Sequence, residues 1–341
     1  MIGDIYLDNG YINMGHIIAN GMPFAVLTGA RGTGKTYGAL LCSFEMHLKI
    51  IYLRRTAVQL DVITASPDIL YKSINRDHGY NIEVESKKGI NYIYDRVDPE
   101  HPEHIGYCAA LTTFNSMRSV DLSDIDLLIY DEFCAEGDRP IKEEGSIFLN
   151  MLETIGRNRE LQGLPPLKVV LMSNSIKLDN PIFMTLGLIG PAIKLLRNNQ
   201  LYWMDEQRGI ELYNIFNSPI SKKKENTALY RLVGESDFRD MALYNKYTSD
   251  DLTRVKSMNL KNYIYTIRIG ELHIYSSRTK DGMYVSAHGS GTPRSTYTAS
   301  EHDLKRARTA LGWLAFQYLS NRILFESYEL EIIFKTYFNI K

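Results

Sequence analysis

Apolar residues in the first two hundred positions fall into short runs bounded by turn residues, and these alternate with stretches of helical spacing. Phe24-Ala-Val-Leu-Thr28 reads as a buried strand. Tyr37-Gly-Ala-Leu-Leu-Cys-Ser-Phe-Glu-Met-His-Leu, after a glycine-rich turn, reads as a helix. Lys49-Ile-Ile-Tyr-Leu-Arg-Arg55 predicts a second strand, followed by a helical segment. Between Tyr80 and Tyr94 alternating residues flank Lys87-Lys88-Gly89 in the manner of an edge hairpin. Ile105–Leu111, Ile125–Phe133 and Leu167–Asn174 are further strands, and the alternation of strand with helix predicts an α/β sheet over residues 1–200. The periodicity weakens from Leu201 to about Glu235, which predicts a linker or small helical subdomain at 201–235 and a separate C-terminal domain at 236–341. In that domain Tyr263–His288 gives three short strands turning at Gly270 and Asp281-Gly282. The chain then closes with two helices, the first capped by Ser300 with Asp303 three residues on.

Composition narrows the class without naming the task. At 341 residues with 44% hydrophobic content, the chain is long enough for two domains with cores of their own. The formal net charge of −1 means that any nucleic-acid contact must come from local patches. Cys42, Cys108 and Cys134 show neither a paired nor a metal-ligand spacing and read as reduced thiols of a cytosolic protein. The N-terminus has no basic segment before an apolar one. The longest apolar stretch, around Pro181 to Leu196, is short and broken by Gly187, Gly190 and Pro191, so neither a signal peptide nor a membrane span is expected.

Candidate chemistry begins at Gly29-Ala-Arg31-Gly32-Thr33-Gly34-Lys35-Thr36, a phosphate-cradling loop between strand and helix. Backbone N–H groups at the helix N-terminus would face the anion, Lys35 would neutralise the β and γ phosphates, and the Thr36 hydroxyl would hold Mg²⁺. The run ending in Asp131-Glu132 places both carboxylates at the C-terminal edge of a parallel sheet, where open α/β sheets bind ligands. Alone such a pair is usually a strand meeting solvent. Beside the loop it reads as Asp131 holding Mg²⁺ through water and Glu132 polarising the water that attacks ATP. Asn174 ends another strand at the same edge and fits a γ-phosphate sensor, against a plain turn role before Asp179-Asn-Pro181. Met151–Glu160 reads as a helix end. Arg157 and Arg159, two residues apart and about 200° round a helix, cannot both face one site, and dipole complementation is the simpler role for either.

The set Gly29-Ala-Arg-Gly-x-Gly-Lys-Thr-Tyr37, Ile51-Tyr-Leu-Arg-Arg55, Asp131-Glu-Phe133, Arg157-Asn-Arg-Glu160 and Leu171-Met-Ser-Asn174, with Asn180-Pro-x-Phe183 after it, resembles the DNA-packaging ATPases of phi29-like phages, relatives of the large terminase motors. The resemblance implies a P-loop NTPase domain of the ASCE type followed by a small α+β ribonuclease H-like domain. It implies a homo-oligomeric ring at the portal (connector) of a procapsid in the host cytoplasm, driving double-stranded DNA into the preformed capsid with ATP and Mg²⁺. A scaffold RNA is among the partners it brings into view. In such rings the first arginine of Arg-Asn-Arg-Glu acts on a neighbour's nucleotide, so Arg157 inherits that role. A basic residue before the acidic strand helps in trans; the matching position is Arg118, where lysine is the expected residue. Arg31 and Arg54 or Arg55 belong to the shared pattern with their roles open.

Terminase nuclease domains need several carboxylates around two metal ions, the first on the opening strand. Here Tyr263-Ile-Tyr-Thr-Ile-Arg268-Ile-Gly270 carries an arginine and no acid, with Glu271 past the turn and Asp281 in the next one, so nuclease activity is not expected. Lys305, Arg306 and Arg308 on the penultimate helix could touch nucleic acid, but a basic stripe is more often a solvated face. Candidate DNA grips are Lys87 and Lys88 on the hairpin and Lys222, Lys223 and Lys224 in the linker. The competing readings are a helicase or other P-loop DNA motor, a terminase with a working nuclease, and a nucleotide-dependent scaffold without catalysis.

Overall fold

The uninterrupted apolar runs of the first half become strands buried on both faces, as a parallel sheet covered by helices requires. The computed structural model describes residues 5–117, 120–134, 141–174, 177–216, 218–244, 252–279 and 282–340. The chain divides into two units, Met1–Tyr247 and Thr248–Lys341.

The first unit holds the strands β1 (Phe24–Gly29), β2 (Ile50–Arg54), β3 (Ile82–Lys87), β4 (Ile90–Asp95), β5 (Glu103–Ala110), β6 (Leu127–Asp131), β7 (Lys168–Ser173), β8 (Tyr202–Asp205) and β9 (Ile210–Ile215). Among the described residues they form one sheet in the order β3-β4-β5-β2-β6-β7-β1-β9-β8. β5, β2, β6, β7, β1 and β9 run parallel, with β4 and β8 antiparallel at the flanks. The expected hairpin is present as β3 and β4, turning at Lys88 and Gly89 with φ of 52° and 80°. The helices of this unit are α1 (Met14–Asn20), α2 (Lys35–Glu45), α3 (Ala57–Thr64), α4 (Lys72–His78), α5 (Glu144–Gly156), α6 (Pro181–Thr185), α7 (Ile189–Arg197), α8 (Pro219–Lys224), α9 (Ala228–Val233) and α10 (Asp237–Tyr244). Several begin where the sequence provides a cap: Thr56 and Gln59 form a capping box on α3, and Asn180 accepts from Ile182 N and Phe183 N ahead of Pro181 on α6.

The segment 201–235 corrects the linker expectation. Its first part forms β8 and β9, and β9 pairs with β1 along its whole length, from Phe24 opposite Ile210 to Gly29 opposite Ile215. Only α8 and α9 after it have the helical character expected there. The helix carrying Arg157 also ends earlier than expected. α5 stops at Gly156 and Arg157 takes a φ of 38°, so the angular argument about Arg157 and Arg159 does not apply.

The second unit is a sheet of β10 (Tyr263–Ile269), β11 (Leu272–Ser277), β12 (Met283–Ser286), β13 (Ser295–Tyr297) and β14 (Ile323–Phe325), ordered β13-β10-β11-β12-β14. β10, β11 and β12 form an antiparallel meander, with β13 parallel to β10 and β14 parallel to β12. Among the described residues three helices accompany it where two were expected: α11 (Glu301–Ala310), α12 (Trp313–Leu319) and α13 (Tyr328–Tyr337). Ser300 caps α11 by accepting from Asp303 N. Ile269, Ile274, Val285, Phe325 and Phe334 form the heart of its core. No helix among the described residues is long and apolar enough to cross a membrane.

Candidate active site

β1 delivers the chain into the glycine-rich loop and α2 carries it away. Gly32 and Gly34 hold φ of 65° and 89°, left-handed values that disfavour residues with a Cβ, and Gly34 is the N-cap of α2. The loop closes on its own lysine: Lys35 Nζ donates to Gly29 O at 2.9 Å and Ala30 O at 3.0 Å, and the residue is almost wholly buried. Thr33 Oγ1 donates to Ala30 O at 3.1 Å. From outside, the Tyr11 ring lies against Gly34, and Ile12 N donates to Thr33 O at 3.0 Å.

β7 lies between β1 and β6, so the acidic pair is one strand removed from the loop and at the same edge. The Thr36 hydroxyl donates to Asp131 Oδ2 at 2.9 Å, and the buried Tyr52 hydroxyl donates to the same oxygen at 2.7 Å. Burial and the Asp131 charge push the Tyr52 phenol well above its ordinary pKa, which keeps it a donor. Arg54, two residues on and on the same face of β2, reaches Asp131 Oδ2 at 3.5 Å and pairs with the Glu132 carboxylate. Burial lowers the Arg54 pKa, and Tyr52, Asp131 and Glu132 outweigh it, leaving it raised. Glu132 leaves the strand with φ of 54°, its side chain 44% exposed while Asp131 is 9% exposed. A hydroxyl and a carboxylate oxygen side by side next to the loop are the hard donors Mg²⁺ takes. Asn174 follows β7 directly, and Ser173 pairs with Thr28, so its backbone sits level with Gly29.

The two arginines after α5 line one groove and take different hydrogen-bond partners. Arg159 is a clasp: Nε donates to Pro165 O at 2.6 Å, Nη2 to Asp126 Oδ1 at 2.8 Å, and Nη1 to Ile125 O. Arg157 is exposed, with Nε on Thr154 O of its own helix at 3.1 Å. It lines a groove of about 400 Å³ with Phe24 and Leu167. Those residues lie at the start of β1 and just before β7, the sheet edge opposite the phosphate loop.

With the loop, the acidic strand and the exposed arginine in place, a family model described as podovirus DNA encapsidation protein (Gp16) matches residues 8–325. The chain belongs to that family. This DNA encapsidation protein is therefore a DNA-packaging ATPase of the phage motor class. Its fold is similar to a solved structure titled the Phi-28 gp11 DNA packaging motor, at 17% identity and a TM-score of 0.66, over 98% of this chain and 99% of that one. It is also similar to the bacteriophage Phi-29 viral genome packaging motor assembly, at 17% identity and a TM-score of 0.69, over 97% and 99% of the two chains. No curated protein sequence matches it.

Among the encapsidation protein's other candidate residues, Lys87 pairs with Glu85 at 3.0 Å and lies over the Tyr94 ring, and Lys88 is exposed in the hairpin turn. Lys222 is exposed, Lys223 Nζ donates to Asn9 O at 3.0 Å, and Lys224 Nζ sits on the phosphate loop, donating to Arg31 O and Gly32 O at 2.8 Å and 2.6 Å. The linker lysines are thus not one free basic row. Arg118 and Asp281 lie outside the described residues. Of the residues gathered here, Tyr52 has no role in the sequence reading, Arg54 has one left open, and Lys224 is read there as a DNA contact. The period-two spacing of Tyr52 and Arg54 was visible, and the position of β2 beside β6 was not.

Proposed function

We propose that the encapsidation protein works as a homo-oligomeric ring in which each subunit binds ATP at Gly29–Thr36 and Arg157 completes the site of the next subunit. Gly32, Thr33 and Gly34 present amides to the phosphates, and Lys35 and Arg31 supply positive charge there. Thr36 and Asp131 are the residues that would hold Mg²⁺, which would supply charge neutralisation to the nucleotide phosphates. Tyr52 keeps Asp131 oriented. Glu132 accepts the proton of the attacking water once its carboxylate leaves Arg54, and Asn174, level with the loop, bonds the γ-phosphate or that water. The observation that supports transfer between subunits is the position of Arg157: it lies at the edge opposite its own loop, about 16–20 Å away along a six-residue strand. The cycle drives double-stranded DNA into a preformed capsid at its portal in the host cytoplasm. Lys87, Lys88 and Lys222 are candidate phosphate contacts, and Arg118 is a second basic residue acting in trans. The C-terminal unit is taken as a ribonuclease H-like module for binding DNA, portal or scaffold RNA, without nuclease activity. Arg268 occupies its opening strand and the Glu271 carboxylate accepts from Tyr337 OH at 2.7 Å.

Mixed rings test the reading. Lys35→Ala and Arg157→Ala proteins are each expected to be nearly inactive, and mixing them restores part of the phosphate release, because an Arg157→Ala loop can receive the arginine of a Lys35→Ala neighbour. An arginine supplied in trans is worth about 10³ to 10⁵ in rate, so a minority of repaired boundaries is measurable. Mixtures that demonstrably exchange subunits and stay as inactive as either parent would remove Arg157 from the neighbour's site.

A further inference from the structure

The phosphate loop is held from outside by a lysine that the catalytic scheme does not use. Lys224 is the last residue of α8, and its ammonium donates to Arg31 O at 2.8 Å and Gly32 O at 2.6 Å. A Cβ at position 32 would come within 2.1 Å of that ammonium and displace it, and the φ of Gly32 itself disfavours a side chain. The base of α8 is fixed as well. Ser218 is fully buried and accepts from Ser221 N, Ile220 N donates to Gly10 O at 3.3 Å, and Lys223 Nζ donates to Asn9 O at 3.0 Å. The fold therefore delivers Lys224 to the loop. Burial lowers its pKa, with no carboxylate among the described residues to raise it.

The two carbonyls it contacts belong to particular peptide units. Arg31 C=O shares its plane with Gly32 N–H, and Gly32 C=O shares its plane with Thr33 N–H. The amides before them are committed elsewhere: Ala30 N donates to Ile215 O and Arg31 N to Ala242 O, both at 3.2 Å. In a loop of this kind the phosphate-facing donors thus begin at Gly32. An ammonium on each carbonyl fixes the direction of the peptide plane and strengthens the N–H at its other end.

We propose that Lys224 is a positioning residue for nucleotide phosphate, orienting and polarising the Gly32 and Thr33 amides from the outer side of the loop. The inference rests on Gly29–Thr36 being the nucleotide site, and it removes Lys224 from the DNA contacts. The test titrates the full-length protein and its Lys224→Met, Lys224→Arg and Lys35→Ala variants with fluorescent ATP and ADP analogues, follows ATPase rate against ATP concentration, and measures duplex DNA binding. Lys224→Met should weaken both nucleotides about tenfold, on the scale of losing charge-assisted hydrogen bonds. The loss should fall on KM more than on kcat, and Lys224→Arg should recover most of it. Duplex affinity and the unfolding midpoint without nucleotide should match the unsubstituted protein. Unchanged nucleotide affinity in Lys224→Met overturns the inference. So does a loss of DNA affinity in its place, or a lowered midpoint that Lys224→Arg does not recover. If Lys35→Ala binds nucleotide as well as the unsubstituted protein, the reading of the loop itself fails, and this inference with it.

Discussion

Glu144→Gln should destabilise the first unit by an amount that the surroundings of Arg55 set. Arg55 and Glu144 are each 1% exposed and bonded in a fork, Nε to Oε1 at 2.7 Å and Nη2 to Oε2 at 2.8 Å. The substitution keeps the shape and removes the charge, so a buried guanidinium loses the carboxylate it is bonded to. Removing one partner of such a pair costs about 3–5 kcal/mol. For a unit of this size each kcal/mol lowers the melting temperature by about 2–4 °C, so the expected drop is about 6–20 °C. The double variant Arg55→Met/Glu144→Leu removes both charges at similar volume and should lie near the parent or above it. Trp203 in β8 and Trp313 in α12 are the two tryptophans. In a Trp313→Phe background, indole fluorescence therefore follows the first unit alone through a thermal or urea transition. A Glu144→Gln loss below about 1 kcal/mol, or a double variant as unstable as the single one, would refute the reasoning, since loss of the Glu144 charge could not then be the cause.

Glu132→Gln should bind ATP nearly as the parent does while hydrolysis falls by about 10² to 10⁴, since the amide cannot accept a proton; near-normal turnover in a phosphate-release assay removes Glu132 from the mechanism. The full-length protein should leave duplex DNA intact on a gel with Mg²⁺ or Mn²⁺, and metal-dependent cleavage abolished by Glu271→Ala would contradict this. Burial lowers the Lys168 pKa to about 8, with the Glu211 charge opposing. Its folded value lies below its unfolded one, so the unfolded chain holds the extra proton above about pH 8, and the lysine's contribution to stability rises with pH from there towards its ordinary pKa of about 10.4. Urea midpoints at pH 7 and pH 9.5 should therefore rise for the parent relative to Lys168→Met, and parallel behaviour of the two counts against the shift.

What the sequence shows of the site is what lies contiguous in it. The loop is bracketed by its own strand and helix, and Asp131-Glu132 closes an unbroken apolar run, so both are readable locally. Tyr52 on Asp131 and Arg54 on Glu132 depend on β2 lying beside β6, a matter of strand order that no local pattern encodes. β9 was hidden for a different reason. All its residues are buried, Glu211 and Asn214 included, so neither alternation nor a continuous apolar run marks it. Glu211 survives there because Tyr202 OH donates to it at 3.2 Å and Lys168 supplies charge nearby, partners that exist only once the sheet has formed. The early end of α5 turns on Arg157 adopting a positive φ, which residue preference argues against.

Arg54 and Arg55 are consecutive at the end of β2, and their side chains take different partners. Arg54 goes to Asp131 and Glu132 at the proposed hydrolysis site, and Arg55 goes to Glu144 in the first turn of α5. α5 then runs 13 residues, about 20 Å, to Arg157 at the opposite sheet edge. Under the proposed role for Arg157, the receiving site and the lent residue thus occupy opposite edges of one unit. A two-fold dimer uses one self-complementary patch, which would have to contain both edges at once. Head-to-tail contact places the loop edge of one subunit against the Arg157 edge of the next, and such contact closes into a ring when the rotation per subunit divides a full turn. Under the same proposal Arg55–Glu144 is the joint between a subunit's own carboxylates and the helix that would serve its neighbour. Loosening that joint should therefore lower ATPase activity in Glu144→Gln at temperatures where the protein is still folded, and Arg55→Met/Glu144→Leu, stable but lacking the ionic joint, separates that effect from stability.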